Sequence, residues 1–145
     1  MDLIDLCNSI YMAIDLIIFN NELRFVMIFD AADFLPKEEI KLFSACYLSN
    51  KYSQKILLNV DYLKNRGLFE AINTIYHEAI HIYCDVNGID DSEGINGFTY
   101  HKRTFADVVE AHKGTCSYVD SRIGWNNARL LPAVLYRVKK LALLN

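Results

Sequence analysis

The sequence feature that most constrains this chain is an apolar stripe running from Leu68 to Val86. Apolar side chains recur there at steps of four and three residues, at positions 68, 72, 75, 79, 82 and 86. This spacing places them on one face of an α-helix, so the stripe predicts a helix whose apolar face packs into a core. Gly88 follows the stripe at a position where glycine commonly ends a helix.

The same helix carries an HExxH motif, His77-Glu78-Ala79-Ile80-His81. Four residues are about one helical turn, so both imidazoles project from one side and can bind a single zinc ion. They lie on the side opposite the apolar stripe, where histidines that only fill a core are not expected. Chance would produce roughly 0.005 such motifs in a chain of this composition. Glu78 is placed to take a proton from a zinc-activated water and to pass it to a leaving amine.

A catalytic zinc ion keeps three protein ligands and one open position, so a third ligand is needed. Only two other histidines are present, His101 and His112, and the carboxylates of Asp107 and Glu110 are further candidates. His101 follows a loop long enough to fold back over the first two ligands. His112 is expected on the solvated side of a helix, but it competes for the role.

Acidic residues follow the motif. Asp85 lies one helical turn beyond His81 and is a candidate to accept a hydrogen bond from that imidazole. A solvated position near the helix end is an equally good interpretation of Asp85. Asp90, Asp91 and Glu93 make the next segment acidic, which would repel nucleic acid and favour basic substrate segments beside the site.

The rest of the sequence predicts one α+β domain over residues 1–145. A chain of 145 residues can bury a substantial core, and 52% apolar with 23% charged residues is an ordinary globular composition. The other predicted elements are a helix from Leu3 that ends near Asn20, a strand over 23–29, a strand within 53–60, an irregular loop over 89–99, a helix over 101–113, an extended stretch over 118–125 and a final helix that begins at Pro132. The segment 40–48 fits either a helix or a strand.

The net charge bears on possible partners, and the cysteines bear on the cellular compartment. A net charge of -3 gives no positive field toward phosphate backbones, so charge does not support an association with DNA. The four cysteines form no CxxC pair and indicate reduced thiols of the cytoplasm. Asp2, Asp5 and Asp15 interrupt the apolar N-terminal segment, so neither a signal peptide nor a membrane span is expected.

Several short segments resemble, in their order and spacing, the SprT-like family of zinc metallopeptidases over residues 14–125. The matching segments are Phe19-Asn20-Asn21-Glu22-Leu23, Ile56-Leu57-Leu58-Asn59 with Leu63, His77-Glu78-Ala79-Ile80-His81-Ile82-Tyr83, Asn87-Gly88-Ile89, Asp91-Ser92, Gly97 with Thr99-Tyr100-His101, Phe105 and Ile123-Gly124-Trp125.

The resemblance implies that His101 is the third zinc ligand, beside His77 and His81. It also implies a small zincin-like α+β fold, in which the active-site helix packs on a short, mostly antiparallel sheet, and cleavage of a protein or peptide substrate. Better-known members act on proteins crosslinked to DNA, and many carry a cysteine-rich zinc ribbon after the catalytic part. Only Cys116 follows His101 here, and the compact size is similar to that of the stand-alone SprT-like proteins of phages and mobile elements.

Two other functions fit the sequence. One is a catalytically silent, zinc-stabilised interaction module of a phage or mobile element, with a partner bound to the apolar stripe of the last helix, Leu131, Val134, Leu135, Val138 and Leu141. The other is nucleic-acid binding through basic side chains, namely Lys102, Arg103, Lys113, Arg122, Arg129, Arg137, Lys139 and Lys140. Among the aromatic residues near the motif, Tyr100 is the first candidate to line a substrate groove or stabilise an oxyanion.

Overall fold

A computed structural model describes residues 2–95 and 97–144 of the chain. The helices are α1 (Leu3–Phe19), α2 (Lys37–Ile40), α3 (Val60–Leu63), α4 (Leu68–Val86), α5 (Arg103–Ala111) and α6 (Pro132–Leu143), with a short 3-10 turn at Ala31–Asp33. The strands are β1 (Met27–Asp30), β2 (Ala45–Ser49), β3 (Gln54–Leu58), β4 (Ser92–Ile95), β5 (Phe98–His101), β6 (Gly114–Ser117) and β7 (Asn127–Leu130).

Helix α1 begins and ends where its capping residues dictate. The Asp2 side chain accepts a hydrogen bond from the amide of Asp5 at 2.8 Å, which satisfies a free N–H of the first turn. Asn20 and Asn21 adopt left-handed backbone angles, with φ of 52° and 63°, and stop the helix. The predicted end of this helix near Asn20 is therefore confirmed.

Three strands form a mixed sheet in the order β1-β3-β2, in which β1 is parallel and β2 antiparallel to β3. The strand predicted over 23–29 begins only at Met27. The backbone before it is held by α1 instead, because the Asp15 side chain accepts the Leu23 amide at 3.0 Å and the Tyr11 hydroxyl donates to the Arg24 carbonyl at 2.7 Å. The ambiguous segment 40–48 contributes the end of α2 and most of β2.

Helix α4 is the central element and contacts α1, α5, α6, β2 and β7. Its predicted stripe is confirmed, since Ile72, Ile75, Ala79 and Ile82 are fully buried. Val86, the last member of the stripe, is 43% exposed and lies outside the core. Gly88, with φ of 66°, adopts the left-handed backbone that glycine tolerates and turns the chain away from the helix.

After α4 the structure departs from the prediction. The segment 89–99, expected to be irregular, contains β4 and part of β5, which pair as an antiparallel hairpin; Asn96 lies outside the described residues. Helix α5 begins at Arg103, so His101 ends a strand and does not open a helix. Burial explains the error, because β4 and most of β5 are exposed and lack the alternation that marks a half-buried strand.

The last elements close the core over α1 and α4. Strands β6 and β7 pair antiparallel, and the Asn73 side chain of α4 accepts the Leu130 amide of β7 at 2.9 Å. Helix α6 begins at Pro132 as predicted, and its Val134, Val138 and Ala142 are buried in the core. The apolar stripe of α6 therefore serves packing rather than a free partner-binding face.

These elements make an α+β fold, as predicted, in which antiparallel pairings outnumber the single parallel one among the named strands. Helix α4 packs against β2, an edge strand of the three-stranded sheet. No helix in the described part of the chain has the length and apolarity needed to cross a bilayer.

Candidate metal centre

Helix α4 and strand β5 bring three imidazoles together. The Nε2 atom of His77 lies 3.2 Å from that of His81, one helical turn away. His101, at the end of β5, places its Nε2 atom 3.2 Å from His77 and 3.0 Å from His81. These are the three residues that the sequence predicted as ligands, and they lie close enough to bind one metal ion.

The backbone of His101 is fixed on both sides, so its imidazole reaches the site from a defined position. Its amide donates to the Ile123 carbonyl at 3.0 Å, and its carbonyl accepts the Trp125 amide at 2.9 Å. Gly124, between them, has φ of 63°, and a Cβ at that position would press on the His101 carbonyl. A glycine at position 124 therefore permits the close approach of this loop to β5.

Two of the imidazoles are hydrogen-bonded on the side that faces away from the cluster. His81 Nδ1 bonds the Asp91 carboxylate at 2.7 Å, and His101 Nδ1 bonds the Ile123 carbonyl at 3.1 Å. Since oxygen acceptors require an N–H donor, Nδ1 of these two rings carries a proton and their Nε2 atoms are directed to the cluster.

Nε2 lone pairs that converge repel one another unless a proton or a metal cation lies between them. Nitrogens bound tetrahedrally at 2.0–2.1 Å from zinc would be about 3.3 Å apart, close to the separations found between these Nε2 atoms. The outer hydrogen bonds are of the kind that fix ring orientation in metal sites. The donor set therefore fits a zinc-sized ion.

The protonation of the histidines suits metal binding. Burial, together with the charges of His81 and His101, holds the pKa of His77 well below its ordinary value. Burial and the charge of His81 likewise lower the pKa of His101 to about 4. Burial also acts to lower the pKa of His81, but the hydrogen bond to Asp91 and the charges of Glu78 and Asp91 outweigh it and raise that pKa. At neutral pH at least two rings are therefore in the neutral form that binds metals.

Glu78 lies beside the imidazoles and is nearly inaccessible, with 5% of its surface exposed. Burial raises the pKa of its carboxyl to about 7, although the charge of His81 and the Tyr47 amide act to lower it. Its Oε2 atom has no hydrogen-bond partner among the described residues. A buried oxygen without a partner is costly, which indicates a group placed for chemistry rather than for packing.

The site opens into a cleft of ≈ 850 Å³ whose floor is α4. One wall is β2 with the residues before it, and the other is formed by the segment 123–129 and the β4–β5 hairpin. The floor presents Glu70, Asn73, His77, His81 and Asp85, which follow one another at helical spacing.

Several predicted candidates lie elsewhere. His112 donates from Nδ1 to the Val108 carbonyl at 2.7 Å and stacks on Phe19, so it is not a ligand of this site. Asp107 and Glu110 instead bond Arg103 on the outer side of α5.

Of the two interpretations of Asp85, the structure favours the partly solvated position near the helix end, because a different acid bonds the His81 ring. Asp85 bonds Arg24 at 2.9 Å and Tyr47 at 2.7 Å, whereas Asp91 bonds the His81 ring. Helical spacing favoured Asp85, and the reversal of the chain after Gly88 that brings Asp91 back to the helix left no signal in the sequence.

Tyr100 is not among the described residues that line the cleft. Side chains alternate along a strand, so Tyr100 points away from the face on which its neighbour His101 lies. Its ring packs over the position of Gly124. Applying strand alternation to β5 would have excluded Tyr100 as an oxyanion-stabilising residue.

Half of the basic side chains considered for nucleic-acid binding are paired with acids. The pairs are Lys102 with Asp90, Arg103 with Asp107 and Glu110, Arg122 with Asp120, and Arg129 with Glu70. Pairing reduces the positive charge available for phosphates. This pattern disfavours a phosphate-binding surface at these residues.

Comparisons with protein-family models, curated proteins and solved structures give no match to this chain. What the chain does must therefore be inferred from its site.

Proposed function

We propose that this chain is a zinc-dependent metallopeptidase of the SprT-like, zincin-like kind. His77, His81 and His101 would hold the zinc ion, and Glu78 would act as general base. One observation carries the proposal: three Nε2 atoms converge within 3.0–3.2 Å beside a buried carboxylate oxygen that has no partner among the described residues.

The choice of zinc follows from the ligand set. Imidazoles suit several transition metals, but three histidines with a remaining open position are an arrangement of catalytic zinc sites. When bound, zinc would supply Lewis-acid activation of a water molecule and of the scissile carbonyl.

Glu78 would move the proton. Its Oε2 atom accepts the proton of the attacking water, and the carboxyl then donates it to the leaving amine. A carboxyl with a pKa of about 7 can do both near neutral pH. Asp91 and the Ile123 carbonyl would hold two of the imidazoles in the orientation that directs Nε2 to the ion.

Strand β2 supports a peptide as the substrate. In an antiparallel pair, hydrogen-bonded residues alternate with residues whose amides and carbonyls point away. The Asn59 amide bonds Ser44 at 2.9 Å and the Asn50 amide bonds Ser53 at 3.0 Å, so the backbone amides and carbonyls of residues 45, 47 and 49 point away from β3. The Tyr47 amide is directed to Glu78, whereas the outward groups of Ala45 and Ser49 could pair with an extended peptide as an added strand.

The cellular compartment is inferred from the cysteines. The four cysteines form no disulfide, which fits a reducing compartment such as the cytoplasm. Action on DNA-associated proteins would follow from the family resemblance alone, since a net charge of -3 and the paired basic residues give it no support.

The test uses purified, zinc-loaded protein and an unfolded protein substrate. Glu78→Gln should keep one zinc ion per chain and lose cleavage, because it removes the base without touching a ligand. His101→Ala should lose zinc, whereas the matched change His112→Ala should retain both zinc and activity. Cleavage that persists in Glu78→Gln would refute the mechanism.

The same experiment addresses the interaction-module alternative. If the wild-type protein binds zinc but cleaves no substrate, and Glu78→Gln keeps its function in cells, the chain is a zinc-stabilised binding module. Tight zinc binding to His101→Ala would instead refute the proposed ligand set.

A further inference from the structure

Arg129 is the only lysine or arginine among the described residues that line the cleft. It lies in β7, where Ala128 and Leu130 point into the core and Arg129 points out. The acids Asp85, Asp90 and Asp91 line the cleft as well. The cleft therefore has an uneven distribution of charge along its length.

Two acceptors hold the Arg129 guanidinium in place. Its Nε donates to the Asn127 side chain at 3.0 Å, and its Nη1 donates to the Glu70 carboxylate at 3.0 Å. Its Nη2 group has no hydrogen bond to any described residue, and 42% of the side chain is exposed. Because guanidinium carries five N–H donors, the Nη2 group can still donate to a carboxylate of a bound molecule.

The position of Glu70 indicates how far the Arg129 guanidinium lies from the metal centre along α4. Glu70 precedes His77 by seven residues on α4, which is two helical turns or about 10 Å along the axis. An extended peptide advances about 3.3 Å per residue. A peptide bound across the histidines would therefore place a group two to three residues from the scissile bond near Arg129.

A purely structural role for the ion pair is a poor explanation. Half-exposed ion pairs contribute little to stability. The buried hydrogen bond from the Leu130 amide to the Asn73 side chain at 2.9 Å already connects α4 to β7. An arginine held by two acceptors, with one edge free in a cleft, is instead the arrangement that recognises carboxylates.

We propose that Arg129 is a specificity-determining residue that binds a carboxylate of the substrate, two to three residues from the cleaved bond. This inference rests on the proposed peptidase function. The carboxylate belongs either to an Asp or Glu side chain or to a free C-terminus, and both would form the same pair with the guanidinium.

The test compares peptides built on a segment that the zinc-loaded protein cleaves. Each flanking position carries Glu, Gln or Lys in turn, and each peptide is made with a free and with an amidated C-terminus. Arg129→Gln should lower kcat/KM about tenfold for peptides that bear the recognised carboxylate and leave the Gln peptides unchanged, as expected for one hydrogen bond to a charged group. Arg129→Lys should give an intermediate loss. The amidated set distinguishes the side chain from the terminus.

Arg103→Gln is the matched control. Arg103 is also held by acids, at 2.9 Å from Asp107 and 3.5 Å from Glu110, but it does not line the cleft. The Arg103→Gln variant should keep the same preference among the Glu, Gln and Lys peptides. An equal loss for Glu, Gln and Lys peptides in Arg129→Gln would show a structural role and overturn the inference.

A binding assay distinguishes failure of this inference from failure of the proposed function. The same peptides, labelled, are titrated by fluorescence anisotropy into zinc-loaded Glu78→Gln with and without Arg129→Gln. A carboxylate preference that depends on Arg129, without cleavage of any peptide by the wild-type protein, would refute the peptidase and leave the subsite standing. Cleavage with no preference for a carboxylate would support the peptidase and refute the subsite.

Discussion

Replacing Asp91 by Ala tests whether the chain positions His81 for metal binding. The Asp91 carboxylate bonds His81 Nδ1 at 2.7 Å, and the two side chains are only 14% and 15% exposed. The backbone of this segment is held independently, because the Asp91 carbonyl accepts the Lys102 amide at 2.9 Å. The substitution therefore removes the orienting acceptor and leaves the loop in place.

The expected effect is a weaker affinity for zinc. Loss of a partner that orients a ligating histidine costs about 10–100-fold in metal affinity. That range corresponds to about 1.4–2.7 kcal/mol of binding free energy. The short, buried contact between Asp91 and His81 places the expected loss in the upper part of this range, and Asp91→Asn, which keeps an oxygen acceptor, should lose less.

Zinc affinity is measured by competition with a chromophoric chelator, and thermal unfolding of the metal-free proteins checks that the fold is intact. Asp90→Ala is the matched control, since Asp90 is the adjacent acid but is 76% exposed and pairs with Lys102 at 2.7 Å. Its removal should leave zinc affinity unchanged. Equal losses in Asp90→Ala and Asp91→Ala would attribute the effect to general charge and refute the positioning argument.

Three further predictions concern stability. Gly114→Ala should destabilise the protein by about 1–3 kcal/mol, because a Cβ there would meet the Tyr76 hydroxyl and a backbone carbonyl, whereas Gly94→Ala, with no atom within 4 Å, should change the urea midpoint little. Asn73→Ala should cost about 1–3 kcal/mol in the same assay, since it leaves the buried Leu130 amide without its acceptor at 2.9 Å; an unchanged midpoint would contradict this role. Zinc at about 100 times its dissociation constant should raise the free energy of unfolding by about 2.7 kcal/mol, and a calorimetric scan without any shift would argue against a native metal site.

The metal centre could be predicted largely from the sequence because its signal is local. His77 and His81 lie one turn apart on a helix whose apolar stripe is long and regular, and that stripe fixed which side they face. His101 was one of several candidates on spacing alone, and only the family resemblance selected it.

Elements with one strongly buried face were also predictable. Helices α1, α4 and α6 and the buried part of β3 carry long apolar patterns, and their capping residues marked where the helices begin or end. The β4–β5 hairpin was missed because its strands are four residues long and mostly exposed, and β7 was missed because it is also four residues long.

The contacts that orient the site were the least predictable part. Asp91 and the carbonyl of Ile123 reach the imidazoles through chain reversals. Arg129 reaches the cleft because β7 packs against α4. Such contacts depend on tertiary geometry, which residue spacing does not encode.

The ligand set joins helix α4 to the end of the β4–β5 hairpin. His81 and His101 are 20 residues apart, and the exposed β4–β5 hairpin lies between them. A bound ion therefore closes a loop and removes the conformational freedom that the hairpin would have without it. Local opening of such exposed segments is the first motion a protein undergoes. Metal occupancy would then set the rigidity of one cleft wall, so that metal loss should appear first as faster amide exchange and proteolytic cutting in the hairpin, before the core is affected.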